Sequence, residues 1–488
     1  MTGVQTCALP IFLFETLDRV KQALPEFPLI VRLSAAEFVE DGYCEADIVE
    51  LSKCLEKQGV AALDLSGGSN ESPQLSKYCI QPPSFARGCL GPYAKPIKQA
   101  VKIPVLVAGR VVDPADAEKL LADGCADFIS VGRALYADPH WTAKALGEVK
   151  APIRQCIACN VCFERLTLEK DVACVHNPVI GTEFESLEHA EPQLFPEQQT
   201  KTPRRGLVIG AGVTGLEAAR SAAARGHHVE VWEKSAVVGG QMPLAMAAPD
   251  KVEVEPILGY RLATLRELSV TIRTSITASV AAIRAFKPDF AIVATGVAPR
   301  AHPFDVSRLA ATVKVMHAWD ALRDPASLAA AKQVTIIGGG MVGAETADLL
   351  SVQGKQCTIV EMLGAIANGM ARNNRMELVE RLAARGTQML TRVKVERAVG
   401  DTLTLRGDDG TIRNIPVGDV LIFATGPVPV RDVVPLLEEA GVDFELAGDC
   451  YRPGDFLSCL RDGWLAAQSV EHRFRGATAV NAGKQEVA

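Results

Sequence analysis

Residues Arg205–Lys234 read RGLVIGAGVTGLEAARSAAARGHHVEVWEK, and residues Gln333–Met362 read QVTIIGGGMVGAETADLLSVQGKQCTIVEM. The two stretches share one pattern: an apolar run of strand type, G-x-G-x-x-G, an amphipathic helical stretch, a second apolar run and a terminal acid. The glycines are Gly210, Gly212 and Gly215 in the first and Gly338, Gly340 and Gly343 in the second. The acids, Glu233 and Glu361, each stand 23 residues past their first glycine. Glycines allow the tight turn and the close approach of backbone to a pyrophosphate. The helix N-terminus adds partial positive charge, and the acid accepts from ribose hydroxyls. A lone G-x-G-x-x-G is weak, because glycines also pack helices on sheets; packing does not explain two motifs with two spaced acids. The chain is therefore expected to be α/β with two Rossmann-like dinucleotide-binding domains, one for FAD and the other for a nicotinamide nucleotide.

Upstream, from Phe12 to about Gly147, helical patterns alternate with short apolar runs: LIVRLSA (29–35), AALDLSGG (61–68), VLVAGR (105–110) and FISVGR (128–133). Such alternation predicts βα units on a parallel sheet. A complete (β/α)8 barrel takes roughly 250 residues, so this block is about half of one. Two consecutive runs end in Gly-Arg, at Gly109-Arg110 and Gly132-Arg133. In such barrels phosphate is held by the loops after the last two strands, where backbone N–H groups and a cation meet the anion. A single Gly-Arg pair is more often a surface turn; the repetition favours a phosphate site.

Between the blocks, Cys156, Cys159 and Cys162 fall within seven residues, and Cys174 follows. Zinc sites commonly use two separated Cys-x-x-Cys hairpins. Three thiols on one tight loop with a fourth at a distance suit three corners of a cubane and its closing ligand. Spacing favours a cluster and leaves zinc and unligated thiols open.

The 488 residues are 48% hydrophobic and 22% charged, with a net charge of −7. That balance gives no electrostatic reason to expect nucleic acid or an acidic membrane as partner. No apolar run is long enough to span a bilayer. Thirteen cysteines without an export signal point to a reducing cytoplasm. Residues 1–11, MTGVQTCALPI, read like a translated sequencing adapter, so the protein is expected to extend upstream. Residues 186–204 are polar and proline-containing, and read as a linker.

VRLSAAEFVEDG (31–42), GRVVDPADAEKLLADGCADFISVGRALYADP (109–139) and the cysteine stretch, in this order, resemble the multidomain Old Yellow Enzyme-like NADH:flavin oxidoreductases. That group includes 2,4-dienoyl-CoA reductase, 2-enoate reductase and trimethylamine dehydrogenase. The resemblance covers nearly everything after Phe12. It implies that residues 12–150 hold strands five to eight of an FMN barrel. Arg32 would lie near the flavin pyrimidine edge, and Gly109, Arg110, Gly132 and Arg133 would hold the FMN phosphate. It implies a [4Fe–4S] cluster on Cys156, Cys159, Cys162 and Cys174, within residues 151–185. It implies an FAD domain at 205–325 and 427–475, split around an NAD domain at 330–426, with a tail at 476–488. Beyond the motif residues, FAD would be met by Gly240, Gln241, Thr295, Gly296, Gly448 and Asp449, and NAD by Gly426.

Glu361 should accept from a ribose 2′-hydroxyl and repel a 2′-phosphate, and no arginine follows directly, so NADH is expected over NADPH. The resemblance implies electron flow from NADH through FAD and the cluster to FMN, and on to an activated C=C bond. One departure bears on substrate: where dienoyl-CoA reductases carry a histidine, this chain has about Asn70 or Glu71. The strand of the partner tyrosine is absent, so the proton donor is unassigned. Alternatives are an amine dehydrogenase, or a fragment with only NADH-dependent dye-reducing activity. A small-molecule substrate is expected, and self-association is open.

Overall fold

The computed structural model describes residues 5–69, 74–181, 200 and 202–485. The chain forms two compact units: Met1–Leu146 with Ala158–Asn160, and Gly147–Ile157 with Val161–Ala488.

The first unit holds β1 (Ile30–Ser34), β2 (Ala62–Ser66), β3 (Val105–Val107) and β4 (Phe128–Ile129), all parallel in the order β1-β2-β3-β4. Helices Glu45–Lys57, Gly91–Ala100 and Pro114–Ala122 intervene, giving the βα order of half a (β/α)8 barrel. Local sequence sets these boundaries. Asp113 accepts from the Ala115 amide at 2.9 Å, Pro114 opens the helix, and Asp116 reaches back to the Asp113 amide at 2.9 Å. That is a capping box with proline where its missing N–H does no harm. Because strand side chains alternate between faces, Leu63, Leu65, Val105 and Val107 share one face, and all four are fully buried. Arg32, Asp64, Leu106 and Phe128 share the other in direct register, and Phe128 there is 58% exposed.

In the second unit the chain runs through β5 (Arg205–Ile209), β6 (His228–Trp232), β7 (Thr271–Arg273), β8 (Phe290–Val293) and β9 (Val297–Pro299). It continues through β10 (Lys314–His317), β11 (Gln333–Ile337), β12 (Gln356–Val360) and β13 (Gln388–Leu390). Then come β14 (Val393–Val399), β15 (Thr402–Gly407), β16 (Ile412–Pro416), β17 (Val420–Phe423), β18 (Pro427–Pro429) and β19 (Phe444–Leu446). Two parallel sheets of the same plan result, ordered β19-β8-β5-β6-β7 and β10-β17-β11-β12-β13. The motif strand stands at the centre of each. Strands β14–β16 form an antiparallel sheet, and β9 pairs antiparallel with β18 where the chain leaves and re-enters the first domain.

Two boundaries differ from the sequence expectation. The first domain was expected to reach residue 325, but β10 pairs with β17 (Lys314↔Val420 to His317↔Phe423) and so belongs to the second sheet. Short edge strands carry little period-2 pattern, and pairing rather than composition assigns them. The expected tail, 476–488, continues as helix Phe456–Gln485, since no proline interrupts it and its two glycines, Gly476 and Gly483, are tolerated. The expected linker lies almost wholly outside the described residues.

Helix Val213–Ala224, which follows the first glycine turn, is buried along nearly its whole length. It lies against the first sheet, helix Glu255–Glu267 and helix Phe456–Gln485.

Candidate functional site

The two glycine turns repeat each other nearly atom for atom. Gly210 has φ 108° and Gly338 φ 100°, a region that disfavours any side chain. A Cβ on Gly215 would stand 1.9 Å from the Gly210 carbonyl oxygen, and one on Gly343 would stand 1.9 Å from that of Gly338. The helix thus presses directly on the turn. By contrast, a Cβ on Gly340 would meet nothing within 4 Å, and one on Gly212 only Gly240 Cα at 4.0 Å. The middle glycine of each turn therefore borders open space, beside the helix N-terminus where an anionic pyrophosphate is favoured.

The acids close each turn. Glu233 accepts from the amides of Ala211 and Ser235, each at 2.8 Å; Glu361 accepts from those of Gly339 and Leu363, each at 2.6 Å. Both are buried. A carboxylate has about four acceptor sites, so each acid retains capacity for a ribose hydroxyl. Tertiary structure adds a cation the linear reading missed: the Arg392 guanidinium lies 3.2 Å from where a Gly364 Cβ would stand, three residues beyond Glu361. Arg392 also bonds Asp408 at 3.2 Å and is exposed.

Gln241 and Asp449, 208 residues apart, meet at 3.4 Å, Gln241 Nε2 donating to Asp449 Oδ2. Gly240 packs its Cα region against Gly212, and Gly448 (φ 66°) sits so close to Thr214 that a Cβ would overlap the Thr214 hydroxyl at 2.3 Å. Thr295 Oγ donates to Val430 O, and Val430 N to Gly296 O at 2.9 Å. Gly296 and Gly426 occupy equivalent places immediately before the two linking strands, both with positive φ and open space at the absent Cβ. These expected FAD residues thus converge at the end of the first sheet.

In the first unit, Arg32 pairs with Asp64, and Asp64 also accepts from Ser130 Oγ at 2.7 Å. Gly109 has φ 117°, and Leu90 lies where its side chain would be. Arg110 donates to the carbonyls of Pro83 (2.8 Å) and Phe85; Arg133 donates to Gln81 O (2.8 Å) and the Asn160 side chain. Both guanidiniums therefore brace the 80–85 loop. Burial pushes the Cys89 thiol up, while Arg110 and Arg133 draw it down, so both cations share its neighbourhood. Gly132 borders open space. Asn70 and Glu71 lie outside the described residues.

The cysteine loop has left-handed backbone at Ala158 (φ 49°) and Asn160 (φ 60°), on either side of Cys159. Cys162 sits in the first turn of helix Val161–Thr167. Burial and then the neighbouring Cys156 push the Cys174 thiol up to about 12, with Cys162 adding to the rise; the amides of Asn177 and His176 oppose it by donating to the sulfur. Among the described residues, no three His, Cys, Asp or Glu side chains are gathered closely enough to hold a single ion. Cys162 is buried and Cys174 half-buried; a thiol such as Cys174, close to Cys156 and Cys162 and met by two amide donors, is of the chemistry that suits iron–sulfur ligation, where a cubane spreads its thiolates more widely than one ion does.

Behind this segment lies a buried charged group that linear reading did not assign. Glu217 Oε1 takes Arg220 at 2.7 Å and Oε2 takes Arg261 at 2.8 Å. Arg154 donates to Tyr260 Oη at 3.0 Å and covers its ring at 4.8 Å. Arg261 also donates to His176 O at 3.3 Å, and His176 Nδ1 donates to Gln155 O at 2.8 Å. Burial alone would raise the Glu217 carboxyl, but Arg220 and Arg261 hold it below the usual range. Burial lowers Arg261 to about 10, against the pull of Glu217. Burial and the nearby arginines keep His176 neutral, well below its ordinary value. A signal was present: Glu217 and Arg220 are the charged pair in an otherwise small and apolar helix, VTGLEAARSAAA.

Comparison with known proteins agrees with this division. Residues 11–150 match the model of the NADH:flavin oxidoreductase / NADH oxidase family, and residues 204–449 that of pyridine nucleotide-disulphide oxidoreductases. The chain is 34% identical over 469 residues to an NADH oxidase of Thermoanaerobacter brockii, covering 94% of this chain and 69% of the relative. It is 31% identical over 487 residues to a cinnamate reductase of Clostridium sporogenes, covering 94% and 69%. A solved 2-naphthoyl-CoA reductase complex superposes with a TM-score of 0.84 at 24% identity, over 94% of this chain and 68% of that one, a likeness of fold. With both family models matched in order and these relatives aligned along nearly its whole length, the chain belongs to the NADH:flavin oxidoreductase / NADH oxidase family and is an NADH-dependent flavin oxidoreductase.

Proposed function

We propose that the protein takes hydride from NADH at the second Rossmann-like domain and delivers the electrons, by way of FAD, a [4Fe–4S] cluster and FMN, to an activated C=C bond of an enoate-type substrate. When bound, these groups supply hydride and single-electron transfer, and the polypeptide supplies position and electrostatics. The observation that carries this reading is the duplicated turn: two helices pressed onto glycine turns at the same 1.9 Å, each closed by a buried acid.

Gly338, Gly340 and Gly343 would admit the NADH pyrophosphate, Glu361 its adenosine ribose, and Gly426 its approach along β18. Gly210, Gly212, Gly215, Glu233, Gly240, Gln241, Thr295, Gly296, Gly448 and Asp449 would line FAD, with Asp449 on the ribityl chain. Cys156, Cys159, Cys162 and Cys174 would ligate the cluster. In the first unit, Gly109 and Gly132 would offer backbone N–H groups to the FMN phosphate. Arg110 and Arg133, braced on the 80–85 loop, would add positive charge from beside it. Arg32, held by Asp64, would place its guanidinium at the pyrimidine edge, where reduction accumulates negative charge.

Anaerobic stopped-flow mixing with NADH tests the entry half: flavin absorbance should bleach without any other reductant, and a silent flavin overturns it. Iron and acid-labile sulfide analysis tests the cluster; one zinc per chain and no sulfide sinks that assignment. Alkene-dependent NADH oxidation with a cinnamate-type enoate tests the acceptor, and turnover with an amine donor in place of NADH would favour the reverse chemistry.

A further inference from the structure

The charged group behind the cysteine segment is deeply buried: Arg261 and Glu217 have no exposed surface, and Arg220 is 4% exposed. Burying ions is expensive unless they are paired, and replacing such a group with apolar side chains often stabilises a fold. Arg220 and Arg261 share one carboxylate, Glu217. Two guanidiniums against one carboxylate leave a surplus of one positive charge, and Arg154 brings a third guanidinium to the same place. A purely structural pair would not need that surplus.

The direction in which the surplus acts is visible in one amide. Arg261 donates to the carbonyl oxygen of His176 at 3.3 Å. That carbonyl and the Asn177 N–H are the two ends of a single peptide group, and the Asn177 N–H donates to the Cys174 sulfur. Hydrogen bonds in series polarise one another. A guanidinium on the oxygen of this amide therefore strengthens its N–H as a donor to sulfur. His176 is locked in place by its own bond to Gln155 O, the residue before Cys156, so the relay is tied to both ends of the cysteine segment.

We infer that Arg261, set by Glu217 and seconded by Arg220, is a positioning residue that carries positive charge through the His176–Asn177 amide to Cys174 and so raises the reduction potential of the group Cys174 ligates. This rests on the reading of the cysteines as cluster ligands. Hydrogen bonds to cluster sulfurs and nearby net charge are the levers by which a protein sets such potentials. A raised potential lets the cluster accept electrons from the FAD side, where the same helix, Val213–Ala224, carries both Glu217 and the first glycine turn.

The test is an EPR-monitored redox titration of the purified chain and four variants, with iron and sulfide assayed on each. Arg261→Met should lower the midpoint potential, by about tenfold in the one-electron equilibrium constant, about 59 mV. Arg220→Met, which keeps the Arg261–Glu217 pair, should lower it less. Glu217→Gln, which removes the compensating negative charge, should raise it, and Arg261→Lys should restore most of the loss. Opposite signs for Arg261→Met and Glu217→Gln are the diagnostic, because general loosening of a structural contact would move both the same way. If Arg261→Met is not recovered folded, Arg220→Met and Glu217→Gln give the same two signs. Full cluster content with unchanged midpoints, or shifts of one sign throughout, overturns the inference while leaving the cluster reading intact. Absence of iron and sulfide from the unaltered chain overturns the cluster reading and this inference with it.

Discussion

At the residue scale, the three glycines of each turn do different work. Gly215 and Gly343 are required by the protein itself, because any side chain would strike the turn's own carbonyl. Gly340 has ordinary backbone, φ −63° and ψ −171°, and open space beside it. Gly340→Ala should therefore melt with the unaltered protein yet raise KM for NADH about tenfold or more, since only a bound pyrophosphate would meet the new methyl. An unchanged KM would show that the nucleotide does not lie there. Gly343→Ala should do both, lowering the melting temperature as well, through about 1–3 kcal/mol of overpacking. Glu361 and Arg392 give a second pair. Replacing Glu361 with Ser removes the repulsion of a 2′-phosphate and leaves Arg392 to attract it. The ratio of kcat/KM for NADPH to that for NADH should rise about ten- to hundredfold, and adding Arg392→Ala should reverse most of the gain. A ratio indifferent to Arg392 would place that guanidinium away from the nucleotide.

At the element scale, helix Val213–Ala224 is the part on which most else depends. It follows the first glycine turn, carries the buried acid that anchors Arg261, and is crossed closely by helix Phe456–Gln485. That crossing is possible because of Gly463, whose absent Cβ would stand 2.4 Å from the Thr214 carbonyl oxygen. The contact brings a Cα–H against a backbone oxygen, a weak but recurrent interaction where helices meet. Gly463→Val should push the helices apart at a cost of about 1–3 kcal/mol. It should also loosen FAD, because Thr214 lies against Gly448, next to Asp449. Differential scanning fluorimetry and flavin release on dilution measure the two effects. A variant that melts early but keeps its FAD would separate the crossing from the site.

At the scale of the whole molecule, the two units differ in how completely their sheets are covered. The motif strands β5 and β11 are central in five-stranded sheets, and four of the five residues in each are buried. In the first unit, β1 and β4 are edges, and Ile30 (60%) and Phe128 (58%) are largely exposed. Parallel sheets are ordinarily covered on both faces. A flavin ring resting on that sheet would gain fewer contacts than one enclosed by the residues proposed for FAD in the second unit. The 488-residue polypeptide is accordingly expected to retain more FAD than FMN on purification, and its alkene-dependent NADH oxidation should rise when FMN is added. NADH-dependent dye reduction should not respond to added FMN. Equal amounts of the two flavins after gel filtration, with no response to FMN, would show that the sheet as it stands holds its cofactor fully.

The amino-acid sequence by itself determined the elements whose causes are local. The glycine turns, the spaced acids, the βα alternation and the capping box at Asp113 depend on residues within a turn or a strand of one another, so they can be read from short stretches. The same holds for the cysteine spacing as a proposal about ligands. What only the tertiary structure decided was set by contacts between distant segments. Pairing with β17 assigned β10 to the second sheet, although its four residues carry no periodicity that says so. Folding brought Gln241 to Asp449 across 208 residues and Arg392 to the loop after Glu361. It also turned Arg154, Glu217 and Arg261, three unremarked charges in three separate segments, into one buried group around the His176 amide. Charges on a helix give no sign in sequence of which will be dry, because desolvation belongs to the packing of the whole fold rather than to the residue.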